Sequence, residues 1–208
     1  MNAHSERLSV IGPAGAIEVL RDEPAADVAA RGTAVIAHPH PLFGGTMDNK
    51  VVQTLARAFV QTGWRAIRFN FRGVGATEGQ HDEGRGEAQD LLAVVAALAP
   101  QGPLALAGFS FGAFVASRAL EALWAGRPAE SLVLVGTAAS RFPVATLPAQ
   151  VHERTLVVHG EQDDTVPLAS VMDWARPQSL PVTVVPGGGH FFHGQLPLLK
   201  SLVVRHLR

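Results

Sequence analysis

The segment Gly108–Gly112, with the sequence Gly-Phe-Ser-Phe-Gly, constrains the fold more than any other stretch of this chain. It follows an apolar run, Leu104–Ala107, that is typical of a buried strand, and it precedes a helical pattern over Ala113–Trp124. A serine between a strand and a helix, with glycine two residues to either side, occupies a tight turn that lifts its hydroxyl above the sheet edge. Ser110 is therefore the candidate nucleophile.

A nucleophilic serine needs a general base, and the base needs a carboxylate that fixes its orientation. The run Thr155–Val158 predicts a strand, and acidic residues follow in the loop after it. Asp163 is the candidate acid in that loop. Asp164 beside it remains an alternative, because either aspartate could instead cap the helix that follows.

A glycine loop supplies the candidate base. The run Val182–Val185 predicts a further strand, and the glycines that follow it end at His190. His193 competes with His190 for this role, but it begins the last helical region rather than ending the loop. Ser110, Asp163 and His190 follow the chain order that a Gly-x-Ser-x-Gly turn requires.

With these loops, and with the segments His38–Gly45 and Phe69–Gly75, the chain resembles the alpha/beta-hydrolase superfamily from about Val35 to the C-terminus. It is most similar there to the small cap-less bacterial serine hydrolases related to dienelactone hydrolases. The resemblance implies a Gly-x-x-Asp spacing from Gly160, which selects Asp163. Dienelactone hydrolases proper use a cysteine nucleophile, and the chain contains no cysteine, so their particular activity is not expected.

An oxyanion hole requires two backbone N–H groups, one directly after the nucleophile and one from the loop after an earlier strand. Phe111 supplies the first. In the loop that begins at His38, two prolines have no N–H group to donate. Leu42 is the favoured second donor, and His40 is the alternative if the family's motif aligns two residues earlier.

Strand-like and helical segments alternate along the chain, which predicts an α/β fold with a mostly parallel central sheet and helices on both faces. We expect one domain over residues 1–208. The predicted strands are a ribbon near 9–20 and the runs 33–37, 65–71, 104–109, 131–136, 155–159 and 182–185, and the predicted helices are 49–62, 87–99, 111–125, 169–175 and 195–207. Only about eighteen residues separate Gly136 from Thr155, too few for a helical lid, so no cap domain is expected.

Composition argues against several classes of partner. The formal net charge is −1 and the basic residues are scattered, so neither nucleic acid nor an acidic membrane surface is an expected partner. The N-terminal residues lack an apolar signal segment, which predicts a cytoplasmic protein. His38 and His40 could form a metal-binding pair, but the alternating prolines disfavour it, and no metal or organic cofactor is expected.

The sequence therefore predicts a serine esterase that cleaves small or medium acyl esters through an acyl-enzyme intermediate, with thioesters as an alternative substrate class. Phe43 and Phe191 lie beside the predicted catalytic loops and are expected to line an apolar acyl pocket. A thioesterase, an acyltransferase or a peptidase could use the same three residues. A binding protein that kept the fold without catalysis is a further alternative.

Overall fold

The computed structural model describes residues 5–25 and 29–208. In these ranges eight strands form one sheet. They are β1 (Ser5–Gly12), β2 (Gly15–Asp22), β3 (Gly32–Ala37), β4 (Trp64–Phe69), β5 (Leu104–Phe109), β6 (Ser131–Val135), β7 (Thr155–Gly160) and β8 (Val182–Val185). Their spatial order is β1-β2-β4-β3-β5-β6-β7-β8. Strands β3 to β8 are parallel, whereas β1 and β2 form an antiparallel ribbon joined to β4.

Helices cover both faces of the sheet. They are α1 (Lys50–Gln61), α2 (Arg85–Leu98), α3 (Phe111–Leu123), α4 (Leu168–Ala175) and α5 (Leu196–His206). Side chains alternate between the faces: in β5, Leu104 and Leu106 belong to the core under α2, α3 and α4, whereas Ala105 and Ala107 belong to the core under α1 and α5. Such near-continuous apolar strands are typical of a parallel sheet that is buried on both sides.

The parallel register brings the carboxyl ends of all six parallel strands, β3 to β8, to one edge of the sheet. Ala37 of β3 pairs with Gly108 of β5, and Phe109 pairs with Val135 of β6. Gly160 of β7 in turn pairs with Val185 of β8. The loops after β3, β5, β6, β7 and β8 therefore meet at this edge, where ligands bind in open α/β sheets.

The predicted fold class is confirmed, including the absence of a cap. The described chain between β6 and β7 holds one short 3₁₀ helix, Ala149–Arg154, and no helical lid. One domain over 1–208 stays a prediction, and residues 1–4 and 26–28 of that range lie outside the described residues. Among the helices that the structure describes, none combines the length and the apolar composition of a membrane span.

Candidate active site

Ser110 occupies a strained turn between β5 and α3. Its backbone has φ 58° and ψ −117°, in the positive-φ region that residues other than glycine rarely adopt. Neighbouring backbones approach this turn so closely that only glycine fits at either side. A Cβ atom on Gly108 would lie 2.2 Å from the carbonyl oxygen of Gly112, and one on Gly112 would lie 2.3 Å from that of Ala37. The close packing of β3, β5 and α3 holds the turn in its strained conformation.

The structure brings Ser110, His190 and Asp163 together. His190 Nδ1 lies 2.7 Å from Asp163 Oδ2, and His190 Nε2 lies 3.0 Å from Ser110 Oγ. Because a carboxylate only accepts hydrogen bonds, Nδ1 must carry the proton, which leaves Nε2 free to accept one from the serine. All three residues are buried. This arrangement of nucleophile, base and orienting acid is the one that acyl transfer requires.

Two backbone amides hold the acid in place. Asp163 Oδ1 accepts hydrogen bonds from the N–H groups of Thr165, at 3.0 Å, and Val166, at 2.7 Å. Burial alone would raise the pKa of Asp163, but the hydrogen bonds from His190 and Val166 outweigh it and hold that pKa below its usual value. Asp164 is exposed, and its carboxylate contacts the Thr165 hydroxyl rather than His190.

A second histidine, which the sequence did not connect with the site, lies against the same acid. His159 is fully buried, and its Nε2 donates to the carbonyl oxygen of Val166 at 2.9 Å. The same nitrogen is 3.4 Å from Asp163 Oδ2. Burial lowers the pKa of His159, so the imidazole is neutral and presents an N–H group to the carboxylate.

The glycine loop packs directly against the loop that carries the acid. A Cβ atom on Gly160 would lie 2.3 Å from the carbonyl oxygen of Gly188, which also accepts the Gln162 N–H at 2.8 Å. This contact fixes His190 relative to Asp163. His193, the alternative base, is exposed and its ring lies against Phe191 instead.

The geometry does not support Leu42 as the second oxyanion donor. Its N–H group donates to His40 Nδ1 at 3.3 Å, its side chain is 69% exposed, and it does not line the cleft above Ser110. His40, the alternative, does line the cleft, and its amide has no hydrogen-bond acceptor among the described residues. The amide of Phe111, the first residue of α3, is likewise free of an acceptor within the described ranges.

His38 anchors this loop to the sheet rather than binding a metal. Its Nδ1 donates to the carbonyl oxygen of Pro39 at 2.6 Å, and its Nε2 accepts the N–H group of Phe71 at 2.9 Å. Both ring nitrogens are therefore occupied. Burial lowers its pKa to about 4. Across the described chain, no group of three or more His, Asp or Glu side chains could hold a metal ion.

Residues 30–197 match the model of a known protein family, the alpha/beta hydrolase domain. The chain belongs to the alpha/beta hydrolase family. Over its full length, the hydrolase aligns with 95% of a Xanthomonas campestris protein described as a serine hydrolase without lid, at 38% identity and a TM-score of 0.88. It also aligns with an alpha-beta serine hydrolase homologue from Coxiella burnetii, over 100% of both chains at 38% identity and a TM-score of 0.83.

A curated relative covers a smaller part of the hydrolase. An uncharacterized protein from Rickettsia prowazekii (strain Madrid E) is 44% identical over 87 residues, which span 40% of this chain and 37% of that protein. The relation to dienelactone hydrolases stays a hypothesis drawn from the sequence motifs.

An open cleft of about 320 Å³ lies above Ser110 of the hydrolase. Phe43 and Phe191 both line it, as the sequence predicted, and they are 76% and 44% exposed. Two further lining residues, Arg141 and Phe142, come from the loop after β6, which carries no recognisable motif. Sequence reasoning therefore missed one wall of the cleft.

Proposed function

We propose that this hydrolase is a serine carboxylesterase that acts on small or medium acyl esters. The main support is the pair of contacts that His190 makes at the floor of an open cleft, 3.0 Å to Ser110 Oγ and 2.7 Å to Asp163 Oδ2. The mostly apolar wall of that cleft, formed by aromatic rings, favours an acyl chain over a sugar.

In the first half of the reaction, His190 Nε2 takes the proton from Ser110 Oγ as the oxygen attacks the ester carbonyl. The resulting oxyanion is held by the N–H group of Phe111 and by that of His40. The first of these lies at the positive end of α3, which adds to the stabilisation of negative charge. His190 then gives its proton to the leaving alcohol.

In the second half, water attacks the acyl-enzyme and His190 acts as base again. Asp163 keeps the imidazole in the tautomer with the proton on Nδ1 and stabilises its cationic form. Among the described residues no cap covers the cleft, so water reaches the acyl group freely.

Covalent labelling with a fluorophosphonate, followed by mass spectrometry, tests the proposal. We expect one adduct, on Ser110, and we expect Ser110→Ala to lower kcat for p-nitrophenyl butyrate at least about a thousandfold with the fold intact. Ser140→Ala is the control, because this serine is exposed on the loop after β6 and does not line the cleft. An adduct on another residue, or a tenth of the activity retained by Ser110→Ala, would contradict the proposal.

A further inference from the structure

One wall of the cleft carries an unbalanced positive charge. Arg141 lines the cleft, and none of the described cleft-lining residues is an aspartate or a glutamate. Two arginines outside the cleft show the alternative, a guanidinium paired with a neighbouring acid: Arg72 is 2.8 Å from Asp90, and Arg176 is 2.7 Å from Asp173. Within the described chain, the Arg141 guanidinium makes no ion pair or hydrogen bond of this kind. It is available to a ligand.

The turn that carries Arg141 is fixed to the catalytic machinery. The N–H groups of Arg141 and Phe142 both donate to the carbonyl oxygen of Ala138, at 3.2 and 3.1 Å. The Ala138 N–H donates in turn to the carbonyl oxygen of Ser110, at 3.4 Å. The guanidinium therefore extends from a turn that is tied to the nucleophile itself.

Aromatic packing holds the same turn from the other side. The Phe142 ring stacks on Phe114 with centroids 5.0 Å apart and planes 15° apart, and it meets Phe111 edge to face at 5.0 Å. The wall of the cleft between Ser110 and Arg141 is thus formed by apolar rings and ends at the positively charged guanidinium. A chain that is apolar near the ester and anionic at its far end fits this wall.

The histidines of the cleft do not duplicate this charge. His40 Nδ1 accepts the Leu42 N–H group, so the imidazole is neutral with its proton on Nε2. The Asp163 carboxylate lies behind His190 and does not line the cleft. Arg141 is the only arginine, lysine, aspartate or glutamate among the described cleft-lining residues. A guanidinium recognises a carboxylate through two parallel N–H donors.

We propose that Arg141 makes the cleft selective for esters that carry a carboxylate away from the scissile bond. The inference deepens the proposed esterase function and rests on it. The carboxylate can belong to the acyl group or to the alcohol, and both would be held by the same ion pair, so the experiment tests each separately.

Two matched pairs of substrates distinguish these positions. For the acyl side, p-nitrophenyl hemiglutarate is compared with p-nitrophenyl valerate, and for the alcohol side, 4-carboxyphenyl acetate is compared with 4-methylphenyl acetate. For each substrate, kcat/KM of the wild type is divided by that of Arg141→Gln, so that intrinsic differences in ester reactivity cancel. Arg176→Gln is the control, since this arginine is exposed and outside the cleft.

We expect this ratio to be about two- to fivefold larger for the anionic member of at least one pair, which is the effect of one exposed ion pair. Arg141→Lys should keep most of the preference, Arg141→Glu should reverse it, and added salt should weaken it. Equal ratios in both pairs would overturn the role of Arg141 while neutral-ester turnover upheld the esterase. If the wild type cleaves none of the four esters, the proposed function and this inference fail together.

Discussion

The acid stability of this hydrolase should depend strongly on one buried histidine. His38 is fully buried, donates through Nδ1 to Pro39 and accepts the Phe71 N–H group through Nε2. Protonation of Nε2 would remove that acceptor, leave the Phe71 N–H group unsatisfied and place a charge in the protein interior. The folded state therefore disfavours the cation, whereas the unfolded chain accepts it freely.

The structure gives the size of the effect. Burial lowers the pKa of His38 from the ordinary 6.5 to about 4, so the stability contributed by the neutral form is complete above the ordinary value and is lost as the pH falls. Linkage then gives a loss of about 2 kcal/mol by pH 5 and about 3 kcal/mol by pH 4. A loss of this size is a large fraction of the free energy of unfolding of a typical domain, roughly 5–15 kcal/mol.

Urea unfolding followed by tryptophan fluorescence measures this free energy as a function of pH in the wild type and in His38→Gln. Glutamine offers an NH₂ donor group and a carbonyl acceptor but cannot titrate, so the difference between the two proteins isolates His38 from the other buried histidines. We expect the wild-type advantage to shrink by about 2 kcal/mol between pH 7.5 and pH 5. The exposed His193, changed to glutamine, is the control. An advantage that stays constant within about 0.5 kcal/mol over this range would refute the reasoning.

Two further predictions concern the catalytic acid and the cleft. Asp163→Asn should lower kcat by about 10⁴, because the imidazole would adopt the wrong tautomer. Asp164→Asn should change kcat little. The opposite order of kcat values in p-nitrophenyl butyrate assays would show that the acid is misassigned. Across p-nitrophenyl esters from acetate to palmitate, kcat/KM should rise roughly fourfold per methylene until the cleft is filled and then decline. Without a cap, no jump in rate is expected at a lipid emulsion, and an optimum at palmitate or activation at the interface would contradict this expectation.

The fold and the positions of the three proposed catalytic residues could be predicted because local signals coincided with topology. Each of Ser110, Asp163 and His190 lies in the turn or loop that follows an apolar run that becomes a parallel strand, and parallel strands bring their carboxyl ends to one edge. The choice of Asp163 over Asp164 depended on the resemblance. The structure accounts for it by the two amides that hold Asp163 Oδ1.

The remaining parts of the site depend on contacts that no local pattern encodes. His40 and Leu42 both have amides to donate, and their roles differ because the His40 ring turns back to accept the Leu42 N–H group. The proposed role of Arg141 depends on the turn that places it at the cleft, where no described lining residue is an aspartate or a glutamate. Neither the contact between His40 and Leu42 nor the position of Arg141 at the cleft could be predicted from the sequence.

The proposed catalytic residues are held more rigidly than the Arg141 side chain. Asp163 is fixed by two amides and by His190, and Ser110 is tied to the sheet through its N–H group, 2.8 Å from the carbonyl oxygen of Val135. The Arg141 side chain, in contrast, is exposed and has no ion-pair or hydrogen-bond partner within the described chain, although its turn is held by backbone hydrogen bonds and by the packing of Phe142. A substitution there can change the charge of the cleft without moving Ser110 or His190. The loop after β6 is therefore where proteins that share this arrangement of Ser110, His190 and Asp163 can differ in substrate at little cost to stability.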